Sequence, residues 1–161
     1  METITLTPQA ITEENFAPYG KVIMLRHGLE LSAIAHTDDK SNMAVKVIQA
    51  NKINMGDPVP FLERHPLSTQ TFIPMNEGRF VIVVAKITSD NSVDLDTLRS
   101  FITNGSQGIQ YDSHTWHMPF SALDTEKQFA VIDRHPNEKD NKNINILFDL
   151  LDNITINIDI Q

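Results

Sequence analysis

The chain has 161 residues, 40% of them hydrophobic, no cysteine and a formal net charge of −8. A chain of this length is too short to expect two domains with independent cores, and a negative balance without a Lys/Arg cluster excludes a phosphate-tracking surface, so nucleic acid is not an expected partner. The lack of cysteine excludes disulfides and thiolate metal sites and fits the cytoplasm, and neither a signal-like N-terminus nor a run long enough to span a bilayer is present, so no membrane association is expected.

Ile4 and Leu6 alternate with threonines as an edge strand does, Pro8 ends the run, and Thr12 is placed to cap a short helix reaching Phe16. Pro18-Tyr19-Gly20 turns the chain into a strand from Lys21 to Leu25, and the polar stretch from His27 to Ser41 reads as a loop able to cover a pocket. Val45, Val47 and Ile48 mark a strand over Asn42 to Ala50, closed by the turn residues Gly56 to Pro60. The next strands run from Thr71 to Met75 and from Arg79 to Lys86, with a tight turn at Met75-Asn76-Glu77-Gly78 that predicts a hairpin. Val81 to Ala85 is an unbroken apolar run and reads as core.

Leu95, Leu98, Phe101 and Ile102 recur at helical spacing after two acidic residues and before Gly105, which predicts a short amphipathic helix from Asp94 to Thr103. Strands follow at Gly108 to Tyr111, His117 to Ala122 and Gln128 to Arg134. Pro136 to Asn145 reads as a solvated loop, and Ile154, Ile156, Ile158 and Ile160 keep a strict period of two as a peripheral strand does. Many short strands with only two or three brief helices predict a single, mainly β domain over residues 1–161, a sandwich or small barrel.

Glu63 and His65 are two apart, so in an extended strand both point to one face and Arg64 to the other, where it is structural or a subunit contact. Gln70 follows shortly after. This spacing resembles the first motif of cupin barrels, in which two metal ligands separated by one residue precede an acidic or amide ligand and a glycine turn. Gly105-Ser106 through Ser113-His114-Thr115-Trp116-His117 resembles the second motif, with His117 at its histidine. The resemblance implies a cupin-like β-barrel (a double-stranded β-helix) with a few short peripheral helices, and Glu63, His65, Gln70 and His117 around one point.

Longer words narrow it. Phe16-Ala17-Pro18-Tyr19-Gly20, Glu63-Arg64-His65-Pro66-Leu67, Gln70-Thr71-Phe72-Ile73-Pro74-Met75, Phe101-Ile102-Thr103-Asn104-Gly105, Trp116-His117 and Ile132-Asp133-Arg134 are similar, in order, to the ureidoglycolate lyase family. Two positions depart from that family, which often carries a Tyr-His pair and a Trp-His-His-Pro word. Here Asp112 follows Tyr111 and Met118 follows His117. His114 or Asp112 is expected to stand in for the missing imidazoles as a substrate contact.

The resemblance implies a homodimeric lyase that releases glyoxylate and urea from ureidoglycolate in allantoin and purine catabolism. That elimination needs removal of the carbinol proton, protonation of the departing urea nitrogen and compensation of the carboxylate. Imidazoles exchange protons near neutral pH, so His65 and His117 are the acid/base candidates. Glu63 is expected to orient His65 or to act as the base, and Gln70 to hydrogen-bond the carboxylate or the ureido group. No metal is required; a divalent metal, if bound, would take Glu63, His65, Gln70 and His117. Two other classes share these residues: a non-catalytic binding protein for glyoxylate-type acids, and a metal-dependent cupin enzyme acting on another small carboxylic acid. Asp133-Arg134 reads as a salt bridge at a strand end, and His27 and His36 as surface residues.

Overall fold

The computed structural model describes residues 2–24, 30–32, 42–54, 56–135, 146–148 and 153–160. His27, His36 and the expected loop at 136–145 lie outside them. In chain order the elements are β1 (Glu2–Leu6), β2 (Gln9–Ala10), α1 (Glu13–Phe16), β3 (Gly20–Ile23), β4 (Asn42–Ala50), β5 (Leu62–Arg64), β6 (Gln70–Pro74) and β7 (Phe80–Ile87). They continue with β8 (Val93–Ile102), β9 (Gly108–Tyr111), β10 (Trp116–His117), β11 (Ser121–Ala122), β12 (Lys127–His135), β13 (Ile146–Phe148) and β14 (Ile154–Ile158).

The strands form a seven-stranded sheet in the order β13-β5-β10-β7-β8-β2, with β11 also on β7, and a five-stranded sheet in the order β3-β9-β6-β12-β4; β1 and β14 make a separate parallel pair. The cause of the layering is visible in β7. Phe80, Ile82 and Val84 point into a core shared with Phe72, Ile109, Phe129 and Val131 of the five-stranded sheet. Val81, Val83 and Ala85 point the other way, into a core shared with Trp116, Met118 and Ile156. A strand covered on both faces has no polar side to show, which is why its sequence is an unbroken apolar run. Each large side chain so buried contributes about 1.5–3 kcal/mol. The architecture is mainly β and cupin-like, as expected. Among the described residues the ladders remain two open sheets and do not close into one ring.

Thr12 caps α1 as expected: its hydroxyl accepts from the Asn15 amide at 3.1 Å, and Asn15 Oδ1 accepts from the Thr12 amide at 2.8 Å. One turn of helix does not hold by itself. Phe16 holds it in place by packing edge-on against Phe101 and close to Tyr19 and Tyr111. The expected strand at 154–160 is β14, with Ile154, Ile156, Ile158 and Ile160 all facing the second core.

Two expectations are corrected. The segment 94–103 is not a helix; it belongs to β8, antiparallel to β7. Its register breaks opposite Ala85, where Leu95 to Leu98 stand against that one residue, and Thr97 stitches the irregularity by accepting from the Lys86 amide and donating to Asp94 O. Phe101 faces one core and Leu95, Leu98 and Ile102 the other. Apolar residues thus occur on both faces and across a bulge, which reproduces helical spacing in a strand. The described residues therefore hold a single short helix, α1, not two or three.

The turn at Met75–Gly78 does not close a hairpin either. It carries the chain from β6 in one sheet to β7 in the other. Gly78 takes φ 130°, open to glycine, and the fully buried Lys127 donates to the carbonyls of Asn76 and Gly105, tying this crossing to the Gly105 turn.

Candidate active site

β5 and β10 are neighbours, and Glu63 stands directly opposite His117. Opposed residues of an antiparallel pair share a face, and His65, two positions after Glu63, shares it too. One ligand atom from each of the three side chains lies within 4.8 Å of the others. Glu63 Oε1 is 4.0 Å from His65 Nε2 and 3.7 Å from His117 Nε2, while the imidazoles lie face to face with centroids 5.3 Å apart. The Tyr111 ring also stacks on His117, with centroids 4.2 Å apart.

The tautomer of His117 follows from its partner. Its Nδ1 is 2.9 Å from Thr115 O, and a carbonyl only accepts, so Nδ1 carries the proton and Nε2 carries the lone pair. Burial, reinforced by the neighbouring His65, lowers the His117 pKa to about 3. At neutral pH His117 is a neutral acceptor and not a proton donor. Burial raises the Glu63 carboxyl above its usual range, and burial together with the nearby Glu63 charge raises the Tyr111 phenol well above its own. Nε2 of His117 has no hydrogen-bond partner among the described residues and faces a carboxylate oxygen. Two acceptors turned toward each other in a buried place are satisfied by a shared proton or by a cation, and a histidine whose other nitrogen donates to a backbone carbonyl has the usual arrangement of a metal ligand.

A cavity of about 300 Å³ opens beside this cluster between the two sheets. Glu63, His65 and Gln70 line it, as do Lys46, Gln49 and Asp133, with Phe72 and Phe120 on its apolar side. Gln70 Nε2 donates to Asp133 Oδ2 at 3.3 Å, and its Oε1 has no donor among the described residues.

The other sequence candidates fall elsewhere. His114 accepts from Arg64 Nη1 through Nδ1 at 2.7 Å, and its amide donates to His65 O at 3.2 Å, which pins the turn after β9 to the end of β5. Asp112 is exposed and lines a separate cavity of about 280 Å³ beside Glu13 and Lys21. Neither lines the cavity at Glu63. Met118 is buried in the second core, on the far side of the sheet from His117. The two departures from the family pattern therefore sit away from the cavity. Arg64 also points to that far face, with its guanidinium 5.2 Å from the Trp116 ring centroid.

The sequence alone does not place Lys46 in the site, and it marks Asp133 as part of a strand-end salt bridge. They do pair, at 2.8 Å and 3.0 Å, with Lys46 and not Arg134 as the cation, and both face the cavity. The available signal is parity: Lys46 shares its phase on β4 with Ile48 and Ala50, which face inward.

A family model described as ureidoglycolate lyase matches residues 3–150. A protein of Pseudomonas fluorescens (strain Pf0-1) named ureidoglycolate lyase is 35% identical over 147 residues, 83% of this chain and 86% of its own length. Proteins of the same name from Escherichia coli O1:K1 / APEC and Shigella boydii serotype 18 are 37% identical over 139 residues, 77% of this chain and 84% of theirs. The matched range takes in both sheets and the positions of Glu63, His65 and His117, and the chain belongs to the ureidoglycolate lyase family.

Proposed function

We propose that the protein is a lyase that cleaves ureidoglycolate to glyoxylate and urea, with Glu63, His65 and His117 at the reacting carbon and Gln70 on the substrate. The observation that carries this reading is the cluster of one carboxylate and two imidazoles beside a cavity of about 300 Å³, in a chain of this family. The reaction moves one proton from the carbinol oxygen to the departing urea nitrogen as the C–N bond breaks and the C=O bond forms. A carboxyl whose pKa burial has raised is suited to take that proton and return it. Both imidazole contacts of Glu63 are to Oε1, which leaves Oε2 for the transfer. His117, neutral with its lone pair at Nε2, does not donate to the carboxylate and accepts from Glu63 only when that carboxyl carries the proton.

The donor set also fits a divalent cation, held by Glu63, His65 and His117, and such an ion would supply positive charge for the developing oxyanion. Release of urea and glyoxylate from ureidoglycolate, corrected for spontaneous breakdown, tests the reading in wild type, His65→Ala and His117→Ala, after chelation and after metal addition. Folded wild type without turnover would reject it; turnover abolished by chelation and restored by one metal would establish the ion.

The reading places the enzyme in allantoin and purine catabolism in the cytoplasm, in keeping with a chain lacking cysteine, and none of the described helices is long and apolar enough to cross a membrane. It is a homodimer. Val47 on the edge strand β4 and Ile73 on β6 lie in register across Ala130 of β12, with Val45 two residues before Val47 on the same outer face of the five-stranded sheet, and all three are exposed. Light scattering of wild type and Val47→Lys checks this, with a shift to monomer expected in the variant.

A further inference from the structure

The wall of the cavity facing Glu63 and His65 is a row of polar side chains on three adjacent strands: Lys46 on β4, Asp133 on β12 and Gln70 on β6. Asp133 sits between the other two, with Lys46 Nζ at 2.8 Å from Oδ1 and Gln70 Nε2 at 3.3 Å from Oδ2. Asp133 and Gln70 are buried, while the Lys46 side chain keeps 42% of its surface. Among the described residues Lys46 is the one ammonium or guanidinium lining this cavity.

The orientation of the Gln70 amide is fixed by chemistry. A carboxylate paired with an ammonium only accepts, so Gln70 presents Nε2 to Asp133 and turns Oε1 away from it. That oxygen is buried and has no donor among the described residues. A buried carbonyl oxygen left in this way is rare and asks for an explanation. Here it belongs to a cavity-lining residue held from behind, so the explanation is a donor brought by the ligand.

We infer that this row reads the two ends of the substrate: Lys46 takes the carboxylate, Gln70 Oε1 accepts an N–H from the urea end, and Asp133 positions both. The inference rests on the ureidoglycolate reading above and deepens it. An ammonium offers three donors, and Asp133 engages one side of it, so donors remain for a second carboxylate. A neutral acceptor beside a buried carboxylate welcomes an N–H and disfavours a second anion. The wall therefore selects a short acid with one carboxylate and a distal amide or ureido group, and rejects dicarboxylic acids of similar length.

Two probes separate the two ends. Glyoxylate carries only the carboxylate end, and N-carbamoylglycine carries both ends but lacks the carbinol oxygen and cannot eliminate. Their competitive inhibition constants are measured against ureidoglycolate turnover, and their dissociation constants by calorimetry, for wild type, Lys46→Met, Gln70→Leu and Asp133→Asn. Lys46→Met is expected to weaken both probes by about tenfold or more, the range of a hydrogen bond to a charged group. Gln70→Leu is expected to weaken N-carbamoylglycine by roughly three- to tenfold and to leave glyoxylate within about twofold. Asp133→Asn, acting through its neighbours, raises KM for ureidoglycolate by about tenfold with a much smaller change in kcat, and Asp133→Glu restores part of it.

Lys46→Met leaves Asp133 as an uncompensated buried charge, so Lys46→Met/Asp133→Asn is the second variant should the first fail to fold, and it must show the same loss of glyoxylate. Glyoxylate binding unchanged without Lys46, or both probes weakened equally by Gln70→Leu, would overturn the inference while wild-type turnover keeps the ureidoglycolate reading intact. The expected probe pattern in a wild type that does not cleave ureidoglycolate would support the wall and overturn the reaction.

Discussion

Glu63 and Arg64 are adjacent in the chain and meet opposite surroundings. Glu63 faces the cavity with two imidazoles and a carboxyl that burial makes harder to ionise. Arg64 faces the second core, where its guanidinium lies over Trp116 and donates to His114. The same division runs through the neighbouring strand, where His117 joins Glu63 and Trp116 joins Arg64. One sheet therefore carries the proposed catalytic residues on one face and structural packing on the other, and the strand period of two is what sorts them. Substitutions on the two faces are expected to separate activity from stability.

The largest effect belongs to the cavity face. Glu63→Gln keeps the shape and removes the proposed proton carrier, so kcat is expected to fall by about 10²–10⁴-fold with the melting temperature little changed. Initial-rate assays beside a thermal melt check this; retention of more than a tenth of kcat would remove Glu63 from proton transfer. Acid stability comes next. The folded His117 takes its proton only at about pH 3, whereas the unfolded chain takes it near 6.5, so between those values the unfolded state binds more protons. The stability lost as pH falls through that window is on the order of a few kcal/mol. Glu63 works in the opposite sense, because its raised pKa lets the folded state take a proton first. Urea titrations in chelator-containing buffer are thus compared between wild type and His117→Gln, and the variant should show the shallower decline between pH 6.5 and 5. Parallel declines would show that His117 is not held neutral.

On the packing face, Arg64→Met should lower stability by about 1–3 kcal/mol through the loss of a buried charged donor, while kcat per folded molecule stays within about threefold. Arg64 touches His114, whose amide holds the end of the strand that bears His65, so a larger loss of kcat would mean that the packing face also sets the cavity. Denaturant midpoints read with active-site titration separate the two outcomes.

How far the sequence disclosed this arrangement depended on how local each feature is. Glu63 and His65 were legible because two residues in one strand fix their own relative direction, and His117 because its motif resembles a known one. The second wall was not. Lys46 and Asp133 are 87 positions apart and meet only through the pairing of β4 with β12. The β-branched Val45 and Val47 advertise an inward face that is in fact the exposed one. Their conspicuous pattern hid the phase of Lys46. Likewise β8 imitates a helix because both of its faces are buried and a bulge interrupts its period, and the glycine turn before β7 gave no sign that it changes sheets. In each case the missing information is which strands pair, and single-strand periodicity does not contain it.

The smallest effect is expected where a charge pair owes nothing to either face. Arg79 donates to Asp124 through Nε at 3.1 Å and Nη2 at 2.7 Å, and the Arg79 amide adds a third donor at 2.9 Å. These contacts, the Arg79 side-chain hydrogen bond first, hold the Asp124 carboxyl at a pKa of about 2. By sign, its stabilisation is present above the ordinary carboxylate pKa and is lost as pH falls toward 2. By size it is small, because the side chains keep 53% and 37% of their surface and solvent screens them. Asp124→Asn should therefore cost about 1 kcal/mol or less, and the cost should shrink in high salt. Melting curves at low and high ionic strength check this. A salt-insensitive loss of several kcal/mol would mean that the amide contact, which fixes the entry to β7, and not the ion pair, is what Asp124 provides.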